Sequence, residues 1–182
     1  MKHRFLLLVG IFVLSPPLFG QSREERIQTL LREIGIRPME RAVDSLNFDL
    51  PNLNGTRTLL NNHRGSFVFL NFWATWCPPC REEMPAMEYL QNALEDSSFT
   101  ILAVSVQEDP TLVQRFVDEF GVTFPILLDR SGQVSRSYGV RALPTSYFIA
   151  PDGQVAGILV GIVAWDDPEV VARFHELMEL YQ

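Results

Sequence analysis

The two cysteines of this chain lie three residues apart, as Cys77 and Cys80, with Pro78 and Pro79 between them. Two thiols at this spacing can close to a disulfide and reopen, and in doing so they exchange two electrons with another disulfide. The thiolate is the reactive form, and a helix N-terminus lowers the pKa of a thiol through its N–H groups and its dipole. The pair therefore predicts thiol–disulfide exchange if a helix begins at the motif.

The residues around the motif predict that helix and a strand before it. Residues 67–72 form a short, nearly continuous apolar run that is typical of a buried strand. Residues 81–94 carry apolar side chains on one helical face, at Met84, Met87, Leu90 and Leu94. Pro78 and Pro79 suit the first turn of a helix, where backbone N–H groups lack intrahelical partners. The first cysteine is therefore expected at the mouth of the helix and the second one turn inward.

Two structural roles compete with redox chemistry. A purely structural disulfide would close a loop so short that it contributes only about 2 kcal/mol on the chain-entropy model. A metal site would need further ligands, and the three histidines, His3, His63 and His175, are scattered along the chain. Exchange explains the motif and its helix better than either role, so we expect a redox-active disulfide between Cys77 and Cys80 and no metal.

Residues 1–20 predict a segment that directs the chain out of the cytoplasm. Lys2 and Arg4 precede an apolar run over residues 5–14, which has the length of a signal-peptide core and is short for a membrane span. Leu18 is larger than the residue usual before a cleavage site, so we expect either a signal peptide or a retained N-terminal membrane anchor. An N-terminal core strand is the alternative. In both principal cases the cysteines work outside the cytoplasm, where disulfides persist.

The charge distribution argues against nucleic acid as a partner. The formal net charge is −7, and Lys2 is the only lysine. No basic patch of the kind that binds a phosphate backbone is visible in the sequence. The acidity otherwise indicates a well-solvated surface.

Beyond the motif helix, strands and helices alternate along the chain. Strands are predicted at residues 100–106, 124–128, 146–149 and 155–160, and helices at 112–120, 134–138 and from 167 onward. This alternation predicts an α/β fold in which a sheet is layered between helices.

Two segments precede the motif strand. Residues 21–44 carry apolar side chains at helical spacing and predict a helical spacer, with packing on the body or binding of a partner as alternatives. Asn54 and Gly55 divide residues 48–60 into two short extended runs, which indicates a β-hairpin with this pair at its turn. Residues 45–182 are therefore expected to form one domain.

Three motifs resemble those of thioredoxin-fold proteins of the TlpA/ResA type. They are NFWATWCPPC at 71–80, GVTFP at 121–125 and GVRALPT at 139–145, and the resemblance covers residues 45–182. It implies a thioredoxin fold with a central mixed β-sheet flanked by helices and an extra N-terminal β-hairpin. It also implies a thiol–disulfide oxidoreductase that is membrane-tethered or periplasmic and needs no cofactor.

The same resemblance assigns roles to the cysteines and to one proline. Cys77 attacks a client disulfide, and Cys80 resolves the mixed disulfide and releases the client. Their places in the helix agree, because the thiol at the mouth is the more exposed and is expected to have the lower pKa. The Leu143-Pro144 peptide bond is expected to be cis, which would present the Leu143 backbone for strand-like pairing with a client peptide.

Two further residues of the motif are expected to contact the client. Trp76 should be an exposed aromatic side chain flanking the site, and Pro78 lies between the cysteines. Trp73 is instead expected to pack in the core.

One position departs from thioredoxin itself. Thioredoxin carries a buried aspartate where this chain has Asn71, and that aspartate assists proton transfer from the inner cysteine, which an amide cannot do. ResA-type proteins place a glutamate shortly after the next strand, and Glu108 fits that position. We therefore predict that Glu108 accepts the proton of Cys80, its own pKa being raised by burial. A solvated surface acid is the alternative.

The expected direction is the reduction of client disulfides. Pro78 and Pro79 remove N–H donors that could stabilise the Cys77 thiolate, which argues against a strongly oxidising protein. The resemblance implies that the clients are extracytoplasmic protein disulfides, with cytochrome c or another metalloprotein under maturation as one class. It also implies re-reduction by a membrane electron donor. We expect the protein to act as a monomer.

Two other functions stay open. A peroxiredoxin-like peroxidase would need an arginine partner, for which Arg141 is a candidate, and it would consume peroxide without a protein client. A peptide-binding or chaperone module with incidental cysteines would keep its client binding after Cys77→Ser.

Overall fold

A computed structural model describes residues 21–182, and the predicted signal peptide or anchor, residues 1–20, lies outside the described residues. The helices are α1 (Arg23–Ile34), α2 (Pro78–Ala93), α3 (Pro110–Phe120), α4 (Gln133–Ser137) and α5 (Pro168–Tyr181), and a 3₁₀ helix covers Leu60–His63. The strands are β1 (Arg37–Pro38), β2 (Asp49–Pro51), β3 (Arg57–Leu59), β4 (Phe67–Trp73), β5 (Phe99–Val106), β6 (Ile126–Asp129), β7 (Thr145–Ile149) and β8 (Val155–Val160). Among the described helices, none combines the length and the apolar character needed to cross a bilayer.

Six strands form one mixed sheet in the order β1-β8-β7-β4-β5-β6. Strands β4, β5 and β6 run parallel, and β7, β8 and β1 are each antiparallel to their neighbours. Helices α2 and α3 make the crossovers between the parallel strands, which cannot be joined by a tight hairpin. The predicted α/β fold, with a central mixed sheet flanked by helices, is confirmed.

Strand β4 lies inside the sheet and is buried along its whole length. Phe69 and Trp73 point into a core that side chains of α1, α2, α3 and α5 complete, so Trp73 is buried as expected. Leu70 and Phe72 point into a second core on the opposite face. Because both faces are covered, the strand needs an almost unbroken apolar run. Asn71 is its one polar residue and is 0% exposed.

The predicted hairpin is present as a separate two-stranded sheet of β2 and β3. Leu50 pairs with Thr58, and the turn between the strands contains Asn54 and Gly55, whose φ of 86° lies in the region that favours glycine. Phe48 and Leu50 contribute to the second core. The hairpin therefore covers the sheet on the face away from the long helices.

Residues 21–44, expected to be a helical spacer, are part of the folded body. The apolar face of α1 lies in the first core, at Ile27, Leu30, Leu31 and Ile34, and β1 adds an edge strand beside β8. Arg26 forms an ion pair with Glu176 of α5 at 2.6 Å, and Arg173 of α5 pairs with Glu33 at 2.7 Å. The structure therefore shows the packed-helix alternative, because helical periodicity does not reveal what an apolar face contacts.

If α1 is part of the core, shortening one of its buried side chains should destabilise the whole domain. Leu30 is 0% exposed, so Leu30→Ala is expected to lower the free energy of unfolding by about 2–5 kcal/mol. Arg32→Ala, on the exposed side of the same helix, is the control and should change that free energy by less than about 0.5 kcal/mol. Equilibrium urea unfolding measures both. A Leu30→Ala protein as stable as the control would show that α1 does not contribute to the core.

Candidate active site

The redox pair lies where β4 ends and α2 begins. Cys77 is the N-cap residue of α2 and is joined by a disulfide bond to Cys80, with 5.3 Å between their Cα atoms. The Sγ atom of Cys77 accepts a hydrogen bond from the backbone N–H of Cys80 at 3.4 Å. Cys77 is 3% exposed and Cys80 is 0% exposed. Cys77 is therefore the more accessible of the two, as expected, but only a small part of its surface reaches solvent.

The second element of the site is the peptide bond between Leu143 and Pro144, which is cis as predicted. Thr145, the next residue, begins β7 and pairs with Phe72 of β4. Pro144 therefore lies at the end of the sheet from which the chain leaves for the redox pair. Its backbone oxygen accepts a hydrogen bond from the N–H of Gly161 at 3.0 Å.

Large apolar side chains are exposed around these two elements. Trp76, directly before the first cysteine, is 69% exposed, and Pro78 is also exposed. Val160 at the end of β8 is 64% exposed and Ile162 is 46% exposed. Val160 pairs with Thr145, which places this second pair of side chains beside the cis proline. Grouped exposed apolar side chains mark a surface for a protein partner.

Val160 and Ile162 were not identified from the sequence. Their place at the site depends on the pairing of β8 with β7, and the order of strands in a sheet is not visible in the residues of either strand. Trp76 and Pro78 were identified because they belong to the cysteine motif itself.

A buried carboxyl group lies one turn along α2 from the inner cysteine. Glu83 follows Cys80 by three residues and is 2% exposed. Its Oε1 accepts a hydrogen bond from Asn71 Nδ2 at 3.0 Å, and its Oε2 accepts one from Trp165 Nε1 at 3.1 Å. Burial raises the pKa of Glu83 to about 7, and the two hydrogen bonds offset only part of that rise. A carboxyl group that titrates near neutrality is suited to exchange protons with a thiol.

Glu83 was not predicted as a site residue, although the sequence carries a signal for it. Cys80, Glu83 and Met87 recur at helical spacing, and all three are buried on α2. A glutamate on the apolar face of a helix must find buried hydrogen-bond partners or lose its charge. The identity of those partners, Asn71 and Trp165, could not be found this way because helical spacing does not show which residues of other elements face the buried side of α2.

Glu108, the predicted proton acceptor, follows β5 and is 8% exposed. Its carboxylate accepts hydrogen bonds from the backbone N–H of Thr75 at 2.9 Å, from the Thr75 hydroxyl, and from the Ser105 hydroxyl at 2.8 Å. Gln107 has a φ of 57°, in the left-handed region, and the chain turns there so that Glu108 reaches back to β5. Glu108 is thus a brace for the loop before Cys77 rather than a solvated surface acid. Its part in proton transfer stays a prediction.

Arg81 holds Thr75 from a second side. Its Nη1 donates a hydrogen bond to the carbonyl oxygen of Thr75 at 3.4 Å. Its guanidinium lies 5.2 Å from the ring centre of Phe116 and 4.9 Å from that of Phe120, contacts that contribute about 0.5–1 kcal/mol each at exposed sites. The N–H and the C=O of Thr75 are therefore both bound by side chains of other elements, which restricts the loop that leads to Cys77.

The groups that the site offers to chemistry are two sulfurs and two carboxylates. Within residues 21–182, no group of three or more His, Cys, Asp or Glu side chains is arranged to hold a metal ion. A surface cavity of about 360 Å³ lies between α1 and residues 150–156. That cavity is at the far end of β7 from the cis proline, and none of the site residues named above lines it.

The raised pKa of Glu83 predicts that folding stability depends on pH through this group. A carboxyl group whose pKa is higher in the folded protein stabilises the fold while it is protonated, and this stabilisation is lost as the pH rises from 4.5, its ordinary value, through about 7. Glu83→Gln cannot ionise, so over this window the free energy of unfolding should fall by about 3 kcal/mol less in the variant than in the native protein.

Urea unfolding of the oxidised proteins at a series of pH values measures this difference. Glu82→Gln is the matched control, because Glu82 is the exposed neighbour on the same helix, and it should follow the native curve. A Glu83→Gln protein that also follows the native curve would show that the pKa of Glu83 is not raised.

Comparison with known proteins supports the chemistry of this site. The sequence profile of the AhpC/TSA family matches residues 42–158. The thiol-disulfide oxidoreductase ResA of Geobacillus thermodenitrificans is 44% identical over 121 residues, which are 66% of this chain and 70% of that protein. The ResA of Bacillus subtilis is 39% identical over 160 residues, which are 88% of this chain and 87% of that protein.

Solved structures show the same fold. A thiol:disulfide interchange protein of the thioredoxin family from Chlorobium tepidum has a TM-score of 0.64 at 26% identity, covering 79% of this chain and 98% of that one. StoA from Bacillus subtilis has a TM-score of 0.60 at 25% identity, covering 78% of this chain and 100% of that one. The chain belongs to the AhpC/TSA family and is a thiol–disulfide oxidoreductase of the ResA type with a thioredoxin fold.

Proposed function

We propose that the protein reduces disulfide bonds of extracytoplasmic proteins. The observation that carries this proposal is a disulfide at the N-cap of a helix, beside a cis proline and among exposed apolar side chains. In the reduced protein the Cys77 thiolate attacks one sulfur of a client disulfide, and the other client sulfur leaves as a thiolate. Cys80 then attacks the Cys77 sulfur, which closes the Cys77–Cys80 disulfide and releases the client. The client gains two electrons, which this protein loses; the proton of Cys80 passes to a nearby carboxylate, and the released client thiolates take their protons from water.

The donors around Cys77 support the reducing direction. A thiol–disulfide pair is a strong oxidant when its reduced form is stabilised. Here Pro78 and Pro79 occupy the first turn of α2 and supply no N–H, so Cys80 supplies the backbone donor to the Cys77 sulfur, at 3.4 Å. A thiolate with few donors is weakly stabilised, which favours the disulfide form of this protein and the reduced form of the client.

The client is proposed to bind as an extended peptide across the cis proline. The backbone of Leu143 would pair with it as a strand, since Leu143 is partly exposed and comes just before β7. Trp76 and Pro78 would contact it on one side, and Val160 and Ile162 on the other. Backbone pairing is tolerant of sequence, so this surface suits a protein that serves more than one client.

Two carboxylates are candidates for accepting the proton of Cys80. We assign this role to Glu83, because it lies one turn along α2 and burial brings its pKa to about 7. Glu108 is the second candidate. Its two oxygens already accept hydrogen bonds from Thr75 and Ser105, so proton uptake there would weaken the brace on the loop before Cys77.

The proposed place of the reaction and the proposed partners are suggested by the N-terminal sequence and by the family. Residues 1–20 have the charged start and apolar run of an export signal or anchor, so the proposed location is outside the cytoplasm, periplasmic or tethered to the membrane. A membrane electron donor would re-reduce the Cys77–Cys80 disulfide after each cycle. The proposed clients include the cysteines of cytochrome c or of another metalloprotein during maturation, and the proposed acting form is a monomer.

Trapping tests the order of attack. Reduced Cys80→Ala protein, incubated with a peptide that contains one disulfide, should accumulate a mixed disulfide on Cys77, because the step that releases the client is removed. Reduced Cys77→Ser protein should accumulate far less. Mass spectrometry after acid quenching identifies the linked cysteine.

A mixed disulfide that accumulates on Cys80 of the Cys77→Ser protein, and far less on Cys77 of the Cys80→Ala protein, would reverse the two roles. Consumption of hydrogen peroxide at a comparable rate, without the peptide, would favour the peroxidase. Undiminished peptide binding by Cys77→Ser together with no reduction by the native protein would favour a binding module.

Matched variants distinguish the two carboxylates. If Glu83 accepts the proton, Glu83→Gln should slow the resolving step by about 100-fold at neutral pH, because a positioned general base typically accelerates a reaction at least this much. It should also abolish the rise in rate near pH 7, which requires the ionised carboxylate. Glu108→Gln should keep that rise. Stopped-flow measurement of peptide reduction from about pH 5 to about pH 9 gives both profiles, and the reverse result assigns the role to Glu108.

A further inference from the structure

The carboxyl group of Glu83 is held by two N–H donors from other elements, one on the strand before α2 and one 82 residues away along the chain. Asn71 is the single polar residue of the buried strand β4, and Trp165 lies in the segment between β8 and α5. Both are 0% exposed, and each donates to a different oxygen of Glu83, at 3.0 Å and 3.1 Å. A carboxyl group bound at both oxygens has its orientation fixed.

We propose that Asn71 and Trp165 are positioning residues for the exchange reaction: their N–H groups favour the ionised form of Glu83 and so set the pH at which it can accept the proton of Cys80. This inference rests on the proposed role of Glu83. It goes further in naming the residues that tune that carboxyl group.

The two donors are the groups that oppose burial at Glu83. Burial disfavours the charged carboxylate, and hydrogen bonds from neutral N–H groups favour it. The charged neighbours on α2 do not stabilise the ionised form of Glu83, because Arg81 lies against Phe116 and Phe120 and Glu82 is exposed. The salt bridges found among residues 21–182 all involve other carboxylates. Removing either donor should therefore raise the pKa of Glu83 further.

Each donor is itself fixed by its surroundings. The same Nδ2 of Asn71 also donates to the hydroxyl oxygen of Ser146 on β7 at 3.1 Å, which orients the amide. The Trp165 ring packs against Phe69 and Phe148, with ring centres 4.8 Å and 6.0 Å away. An aspartate at position 71 would instead bring a second negative charge to Glu83, which would favour protonation of one of the two.

The chain offers a matched pair of tryptophans for the test. Trp73 is also 0% exposed, but its Nε1 has no hydrogen-bond partner among the described residues, and its ring packs against Phe116 at 4.9 Å. Trp165→Phe and Trp73→Phe therefore make the same change in volume at fully buried sites. Only Trp165→Phe removes a donor from Glu83.

The experiment is an infrared pH titration of the oxidised full-length proteins. The carboxyl C=O band of Glu83 is identified as the band lost in Glu83→Gln, and its midpoint is followed in each variant. We expect Trp165→Phe to raise the midpoint by about one to two pH units, the effect of losing one hydrogen bond to a charged group. Trp73→Phe should leave it unchanged. Equal midpoints in all proteins, or equal shifts in the two tryptophan variants, would overturn the inference.

A second variant keeps the test independent of any one tryptophan. Asn71→Leu removes the other donor at nearly constant size, and it should raise the midpoint in the same direction. The titration uses the disulfide form and involves no client, so it does not depend on the proposed function. If the midpoints shift as expected but Glu83→Gln exchanges at the native rate, the assignment of Glu83 as proton acceptor fails and the tuning of its ionisation stands.

Discussion

Strand β4 is covered on both faces, and this constraint places the redox pair at the end of the strand. A strand buried on both sides can carry little polarity, so the chain becomes polar and reactive only where β4 ends, at the loop that leads to Cys77. Its two neighbours then bring their own ends to the same edge of the sheet. The pairing of Phe72 with Thr145 brings the cis proline there, and the pairing of Trp73 with Ser105 brings the turn that carries Glu108. The redox motif is short, but its surroundings come from three strands.

Asn71 is the one polar residue of β4, and it has a specific hydrogen-bond partner. Its amide binds the carboxyl group of Glu83, which burial shifts from an ordinary pKa of 4.5 to about 7. At 1.36 kcal/mol per unit, this is a cost of about 3 kcal/mol for the charged form. Gln or Leu at position 83 would avoid that cost. A carboxyl group with a raised pKa beside a redox pair is the kind of group that proton transfer needs.

The parts of this site that the sequence predicted are those encoded locally. Pro78 indicates the start of a helix, and the Asn54–Gly55 pair indicates a hairpin, because each fixes the backbone of its own neighbourhood. The cis proline was predicted from a motif rather than from physics. Glu83 and Val160 were missed, because their importance depends on strand order and on which helix face meets which strand. The packing of α1 was left open for the same reason.

Two separate sets of contacts fix the site: one holds the loop before Cys77, and the other holds the carboxyl group of Glu83. The loop before Cys77 is fixed through Thr75, which Glu108 and Arg81 bind from opposite directions. The carboxyl group proposed as proton acceptor and the proposed client surface instead share one segment, residues 161–165. Its first residue donates a hydrogen bond to Pro144, its second is exposed beside the cis proline, and its last binds Glu83.

The loop that leads to Cys77 is thus held by side chains of β5–α3 and α2, whereas the carboxyl group of Glu83 is bound in part from the segment that also carries the exposed Ile162. A substitution within residues 161–165 can therefore alter the surroundings of Glu83 and the exposed surface beside Pro144 together, without removing either hydrogen bond that holds Thr75.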